Sequence, residues 1–406
     1  MSLGSVKTIA FVGINAIEID VQAHIGPGLP CFAIVGLPDK SIGEAKERIR
    51  AVFNIIGLSL PPKRVTINMS PASIQKEGSH YDLPIALSIL SAMKIIDQQD
   101  IDKWLVLGEL NLDGSIQEVN GILIAAIHAN SNFLKQGKAI PINFQKIPLE
   151  EEKHTCDMSE ITGQELAKQA LEIAAVFNMH VLLIGPPGVG KSMLAKRLPT
   201  ILPPLTSKEI LEVNMIYSLS TQLKTLKQNI PFREPHHSSS LTALVGGGSK
   251  ALPGEITLAH NGVLFLDELG EYSKAIEGLR QSMETGEITI SRNNKHITYP
   301  AKAQIIAAMN PCRCGYFNTN KQCNKAPNCA KDYENKSKTA KTSKEIQGKI
   351  IKAREFYEKH FETSIHKINI EEVNINAEAR KILIDYCNLK EVNQRTYRKI
   401  LKIART

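Results

Sequence analysis

No apolar run in this sequence of 406 residues reaches the roughly 18 needed to cross a bilayer as a helix. The stretch Leu83 to Met93 is broken by Lys94. The first 25 residues lack the basic start, unbroken apolar stretch and small-residue cleavage site of a secretory leader. A secreted or membrane-spanning chain is therefore disfavoured, and a cytoplasmic location with no membrane partner is expected. No internal repeat is present. With 43% hydrophobic and 22% charged residues, wholesale disorder is also excluded. At about 150 residues per domain, the length predicts two or three domains.

What is present is unevenly placed. The net charge is +8, yet Lys331 to Thr406 alone holds 18 Lys or Arg against 11 Asp or Glu. Such a tail suits a polyanion such as nucleic acid, or serves as a solvated helical face. Of the seven cysteines, Cys312, Cys314, Cys323 and Cys329 fall within 18 residues. In a cytosolic chain that clustering points to metal more than to disulfides.

Along the chain, the first 135 residues mix strand and helix signals. Thr8 to Ile14, Ile17 to Val21, Cys31 to Val35 and Arg64 to Met69 read as strands. Ser41 to Ile56 reads as a helix capped by Ser41 and stopped by Gly57; Leu83 to Ile96 and Gly121 to Ala129 read as two more. This is an α+β domain, 1–135, followed by a linker at 136–157. From 158 the pattern changes to α/β. A helix over Gly163 to Phe177 leads to an apolar strand, His180 to Ile184, then a Gly-rich turn and a helix from Lys191 to Leu198. Gly262 to Leu266 and Gln304 to Met309 are continuous apolar runs, as expected of strands buried on both faces of a parallel sheet. Strands alternating with helices predict a three-layer α/β domain over 158–349. Lys331 to Lys349 reads as a loop. Ile350 to Phe361 and Ala377 to Ala404 read as helices of a small C-terminal bundle, 350–406.

The chemistry begins at Gly185-Pro186-Pro187-Gly188-Val189-Gly190-Lys191-Ser192, a full P-loop pattern with a strand before it and a helix after. The glycines let backbone N–H groups turn inward around phosphates, and the helix N-terminus adds partial positive charge. Lys191 would reach the β- and γ-phosphates, and Ser192 would ligate Mg²⁺. The strand ending in Asp267-Glu268 supplies one carboxylate for Mg²⁺ and a second to polarise an attacking water. Asn310 closes the strand Gln304 to Met309 at the edge where open α/β sheets bind ligands. It could orient the water, or serve the turn before Pro311. ATP and Mg²⁺ are the expected cofactors.

Longer blocks carry a resemblance. Phe232-Arg-Glu-Pro-His-His-Ser238, Leu244-Val-Gly-Gly-Gly248 and the run from Pro253 through Asp267-Glu268 to Leu269 are similar to the ComM/YifB family of magnesium-chelatase-like AAA+ ATPases. Leu279 to Gly286, Ala308 to Gly315, Ile34 to Lys40 and Lys76 to Pro84 continue the match over nearly the whole chain. The resemblance implies an ATP-driven ring, usually a homo-hexamer, that moves branched or single-stranded DNA during natural transformation and recombination. It makes Gly185 to Ser192 the Walker A motif, Asp267 and Glu268 the Walker B pair, and Asn310 the sensor-1 residue. Arg395 stands where the sensor-2 arginine is expected. It also implies a Lon-protease-like fold for the N-terminal domain, without peptidase activity. Ser79 has no Gly-Pro before it, and Gly121 to Ala129 holds no Lys to serve as its base.

In the family a β-hairpin precedes sensor 1. Glu287 to Tyr299 has that form, with Arg292 and Lys295 beside the Asn293-Asn294 tip, where they could meet phosphates or simply solvent. The four clustered cysteines match the number of ligands for structural Zn²⁺, although Cys-x-Cys is tight for chelation and free thiols are the alternative. One family feature is missing. Members usually follow the cysteine segment with a Gly-Pro-Leu-Leu-Asp-Arg-like stretch whose arginine reaches the neighbouring subunit's ATP site; this chain contains no Asp-Arg pair. It also runs short near Ile140 to Glu152, and ends at Thr406 just before the usual end. The shortenings set a motor with impaired turnover against a non-catalytic DNA-binding or assembly remnant. A chelatase-type motor is a third reading, and the Lon-like domain argues against it.

Overall fold

The computed structural model of the chain describes residues 2–135, 149–150, 156–220, 226–248, 251–272, 275–292, 295–310, 341–361 and 381–385. Its N-terminal part is built on a long hairpin. Ser2–Val12 and Asn15–Gly26 pair antiparallel from Ser2↔Ile25 to Val12↔Asn15. The strand expected to run to Ile14 therefore stops at Val12, because Gly13 takes φ +62° to turn the chain. Arg64–Ser70 adds antiparallel to the second strand, and Cys31–Val35 adds parallel beyond it.

Period-2 alternation drives Ile19, Val21, Ala23 and Ile25, with Val65, Ile67 and Met69, into one buried face. The helices Lys40–Ile55 and Asp82–Ala92 share its core through Ile42, Ala45, Ile49, Ile85 and Ile89. The first helix is capped by Asp39, whose Oδ1 accepts from the Ile42 N–H at 2.9 Å, and not by Ser41. The second ends at Ala92, short of Ile96, and Lys94 stands just beyond it at φ +61°. Ile122–Lys135 runs longer than the expected Gly121 to Ala129.

The second part is a parallel sheet in the order 232–233, 263–266, 304–309, 181–184. Val263–Leu266 is fully buried, as a continuous apolar run predicts. Phe265, Ile306 and Ala308 share one core with the helices Glu165–Phe177, Lys191–Ile201 and Ser343–Phe361. Leu264, Leu266, Ile305 and Ala307 share another with Leu279 of the helix Ala275–Thr285 and with Ile288, Ile297 and Tyr299 of the hairpin Glu287–Arg292/Lys295–Pro300. The sheet is thus covered on both faces, one by helices and the other by a helix with a hairpin. That coverage agrees with a mixed α/β fold.

The segment Lys331 to Lys349, expected to be a loop, is corrected in its last seven residues. The helix Ser343–Phe361 begins seven residues before the expected Ile350 and crosses the boundary at 349/350. Ser343 N–H donates to the Asp157 carboxylate at 3.1 and 3.2 Å, and Ser343 Oγ accepts from Met158 N–H at 2.7 Å. Ile346 and Ile350 are buried in the core shared with the sheet, the helix packing on Glu165–Phe177 and Lys191–Ile201.

The two parts touch. Val12 and Ile14, at the tip of the first hairpin, pack into the core that holds Ile297 and Tyr299, and Gly121 N–H donates to the Ser218 carbonyl at 2.8 Å. Among the described residues, no helix is long and apolar enough to cross a membrane.

Candidate active site

Three neighbouring parallel strands deliver the motif residues to one sheet edge. Val181–Ile184 leads into the P-loop, Gln304–Met309 ends at Asn310, and Val263–Leu266 ends at Asp267-Glu268. The strand bearing Asn310 lies between the other two. A pocket of about 340 Å³ opens there, lined by Gly188, Lys191, Ser192, Asp267, Glu268 and Asn310 among others.

The P-loop backbone explains its glycines. Gly188 sits at φ +81° and Gly190 at φ +91°, conformations that L side chains rarely adopt. A Cβ at either would meet nothing within 4 Å, so the glycines serve backbone conformation and leave the concave side open. Gly190 is followed at once by the helix Lys191–Ile201, whose first N–H groups have no intrahelical partner. That is a cradle for phosphate.

The side chains converge. Lys191 Nζ donates to the carbonyls of Gly185 and Pro186 at 2.8 and 2.9 Å and to Asn310 Oδ1 at 3.0 Å. Burial pushes its pKa below the ordinary lysine value, against the pull of Asp267. Ser192 Oγ donates to Asp267 Oδ2 at 2.8 Å, which joins a hydroxyl and a carboxylate of the kind that hold Mg²⁺. Asp267 Oδ1 accepts from the Glu268 N–H at 2.9 Å. Glu268 itself sits at φ +52°, ψ +48°, a left-handed conformation costly for any residue but glycine. It is held there beside the pocket with its side chain 54% exposed, open to a water. Glycine cradle, lysine, hydroxyl and paired carboxylates together fit an Mg-nucleotide.

Arg395 and the four cysteines Cys312, Cys314, Cys323 and Cys329 lie outside the described residues, as do Asn293-Asn294 at the hairpin tip and most of the linker. The side chains of Arg292 and Lys295 also fall outside them. Ser79 is engaged in a hydrogen bond to the Glu109 carboxylate, and Lys76 Nζ in one to the Pro71 carbonyl. Neither arrangement builds a nucleophile with its base.

Motif reading assigned no role to His237, whose Nδ1 is 3.2 Å from Glu268 Oε2. The available signal was its place, just past a strand of the same sheet, within the block Phe232 to Ser238. Lys196, on the P-loop helix, pairs with Glu234 of that block at 2.9 Å.

Comparisons with known proteins agree with the geometry. The family of magnesium chelatase, subunit ChlI, matches residues 157–365, and that of subunit ChlI of Mg-chelatase matches residues 21–140. The YifB protein of Salmonella typhimurium is 42% identical over 355 residues, covering 79% of this chain and 70% of its own. YifB of Escherichia coli is 41% identical over the same shares. Competence protein ComM of Haemophilus influenzae is 34% identical across the whole of this chain and 93% of its own. That last alignment spans 477 positions against the 406 residues here, so ComM carries segments that this chain lacks. The chain belongs to the ComM/YifB family of magnesium-chelatase-like AAA+ proteins.

Proposed function

We propose that this protein binds Mg-ATP in the pocket between Lys191, Ser192, Asp267, Glu268 and Asn310 and acts as a DNA-directed ATPase whose turnover is slow. The observation that carries the reading is the convergence of all five side chains on one pocket. Lys191 brings positive charge to the phosphates, and Asn310 fixes where its ammonium sits. Ser192 and Asp267 would hold Mg²⁺, which when bound draws negative charge off the phosphate oxygens. Glu268 polarises the attacking water.

The DNA part rests on kinship and charge. The relative from Haemophilus influenzae is named a competence protein, and the last fifth of this chain carries most of the net positive charge. Branched or single-stranded DNA, a homo-hexameric ring, a contact from the hairpin tip and a sensor role for Arg395 belong to the same proposal. So does structural zinc at Cys312, Cys314, Cys323 and Cys329. Slow turnover follows from the missing Asp-Arg segment. An arginine reaching the transferred phosphoryl group can be worth about 10³-fold or more in rate. Lys336 or Lys338 would replace it poorly, lacking the planar fork.

The decisive experiment measures ATP hydrolysis with and without forked DNA. Stimulation supports a motor. Nucleotide binding with no hydrolysis in either condition supports the non-catalytic remnant, which the absent Asp-Arg pair also favours. Failure of the wild-type chain to bind Mg-ATP would overturn the site.

A further inference from the structure

The N-terminal sheet has two edges, and the fold treats them differently. Along Ser2–Val12 the outer edge is blocked. Gln98 takes both main-chain groups of Ser5, accepting from its N–H at 3.0 Å and donating to its carbonyl at 2.6 Å. The Lys7 carbonyl accepts from the Val106 N–H at 2.9 Å, and the Lys7 side chain is charged and paired with Glu18. Such devices keep an edge from recruiting another strand.

The opposite edge, Cys31–Val35, has none of them. It pairs parallel with Arg64–Ser70 on one side, and among the described residues nothing is hydrogen-bonded to the backbone on its outer side. From Ile25 to Pro38 the chain carries no charged residue. Cys31 is exposed, Val35 and Leu37 are about half exposed, and Leu29 is 88% exposed. Unpaired strand N–H and C=O groups beside apolar side chains are a template for a further strand.

We propose that this edge pairs with the same edge of a second copy of the chain, antiparallel and centred on Ala33, joining two four-stranded sheets into one. The strand fits itself. Its side chains alternate, with Phe32 and Ile34 turned to the core and Ala33 between them on the open face. A symmetric pair must set core face beside core face, which confines the register to partners of the same parity. Within that set, centring on Ala33 pairs all five residues of the strand. Phe32 meets Ile34 of the second copy, Cys31 meets its Val35, and the small Ala33 meets itself. Leu29 comes to the end where the second copy's Leu37 lies, so the most exposed apolar side chains of the edge cover one another. No charge of either segment is buried or opposed, since the segment has none.

This contact uses one patch on both chains and closes with two, so it is separate from the head-to-tail contact of a ring. Five residues a side bury well under the roughly 1,200 Å² of a standard interface, so the pairing is reversible and rises with concentration.

The test uses the full chain. Ala33→Cys places a thiol at the centre of the pair, where opposed Cα atoms lie about 4.5–5.5 Å apart, within disulfide reach. Mild oxidation should link the two introduced thiols, giving a covalent dimer and nothing larger on a denaturing gel without reductant, with the bond located by peptide mapping. Thr66→Cys is the control, since Thr66 neighbours Ala33 one strand further in, and it should stay unlinked. Cys31 of the wild type should not link to its own copy, because four positions along the strand hold the two roughly 14 Å apart. Sedimentation without nucleotide should show chains pairing as concentration rises. Val35→Lys, which puts a charge on the edge, should weaken the pairing about tenfold or more and bind Mg-ATP as the wild type does. Absence of a covalent dimer from Ala33→Cys, or a pairing that Val35→Lys leaves as strong, would overturn the proposal; a link between the introduced thiol and Cys31 would overturn the register. None of these readouts depends on ATP turnover, so they stand apart from the proposed function.

Discussion

Gly262 precedes the strand that ends in Asp267-Glu268, and replacing it with alanine should damage the nucleotide-binding part selectively. A Cβ at this position would stand 2.2 Å from the Pro231 carbonyl oxygen and 2.9 Å from its carbon. Real Cβ contacts stop near 3.0 Å, so about 0.8 Å of separation must be found. No flexible side chain can yield it, because the obstacle is backbone and a proline ring. That same carbonyl accepts the Val263 N–H at 2.8 Å and begins the pairing of 232–233 with 263–266. Relief must therefore push these two strands apart. Overpacking a tight site costs about 1–3 kcal/mol, and a clash with backbone and a rigid proline ring belongs at the upper end. For a domain of this size, about 3 kcal/mol lowers Tm by roughly 6–12 °C. Calorimetry of the full chain with and without Mg-ATP analogue gives the assay, since the nucleotide marks which transition belongs to this part. Weaker nucleotide binding should accompany the drop. A Tm within about 2 °C of wild type would refute the packing argument.

Gly43 offers the opposite sign: it lies inside the helix Lys40–Ile55 with nothing within 4 Å of its Cβ position, so Gly43→Ala should stabilise by about 0.5–1 kcal/mol in chemical denaturation. Lys191→Ala should abolish binding of Mg-ATP, and Glu268→Gln should bind it without turnover; unchanged affinity in the first variant would sink the site assignment. Burial pushes the His80 pKa from the ordinary 6.5 down to about 4, while its Nε2 faces the Ile9 carbonyl at 3.0 Å. Below pH 6.5 the unfolded chain thus takes up a proton that the folded one refuses, so stability falls with acidification. Between pH 7 and pH 4.5 the loss should be on the order of 2–3 kcal/mol, flattened in His80→Gln; a pH-independent wild type would contradict it. Protein purified without chelator should hold about one zinc per chain, released in Cys323→Ser, as metal analysis can check.

What the sequence conveyed best was whatever is encoded locally. The P-loop glycines, the apolar strand before Asp267-Glu268 and the run Gln304–Met309 signal their own conformation and burial, and the bounds of the last agree to the residue. Some of the failures are non-local. Ser343 to Lys349 reads as polar loop although Thr342 and Glu345 form a local capping box at 3.1 and 3.4 Å; what also holds the helix start, the Asp157 carboxylate, is 186 residues away. Ser2 to Lys7, with its glycine and serines, becomes strand because the partner Asp20 to Ile25 offers a ladder. Asp39 displaced Ser41 as cap by a shift of two residues, the usual scale of error at helix ends. His237 carries no local signal of its contact with Glu268, since the register of two strands creates it.

The anchoring of Ser343 bears on how this chain came to differ in length from its relatives. Asn310 is fixed by the sheet strand before it, and the helix from Ser343 is fixed by Asp157, Met158 and Thr200, then by Gln347 on the Leu202 carbonyl at 2.6 Å. The two ends of the stretch 311–340 are thus held by the fold and not by what joins them. The entropy of closing such a connection varies only with the logarithm of its length, so halving it changes stability by about 0.6 kcal/mol. A segment can be lost from such a connection with almost no penalty to folding; on the proposed function, loss of an arginine there would be felt in phosphoryl transfer alone. Folding and turnover can thus answer to separate demands. A lineage can therefore keep a well-folded nucleotide-binding protein long after relaxing the demand that it work as an engine.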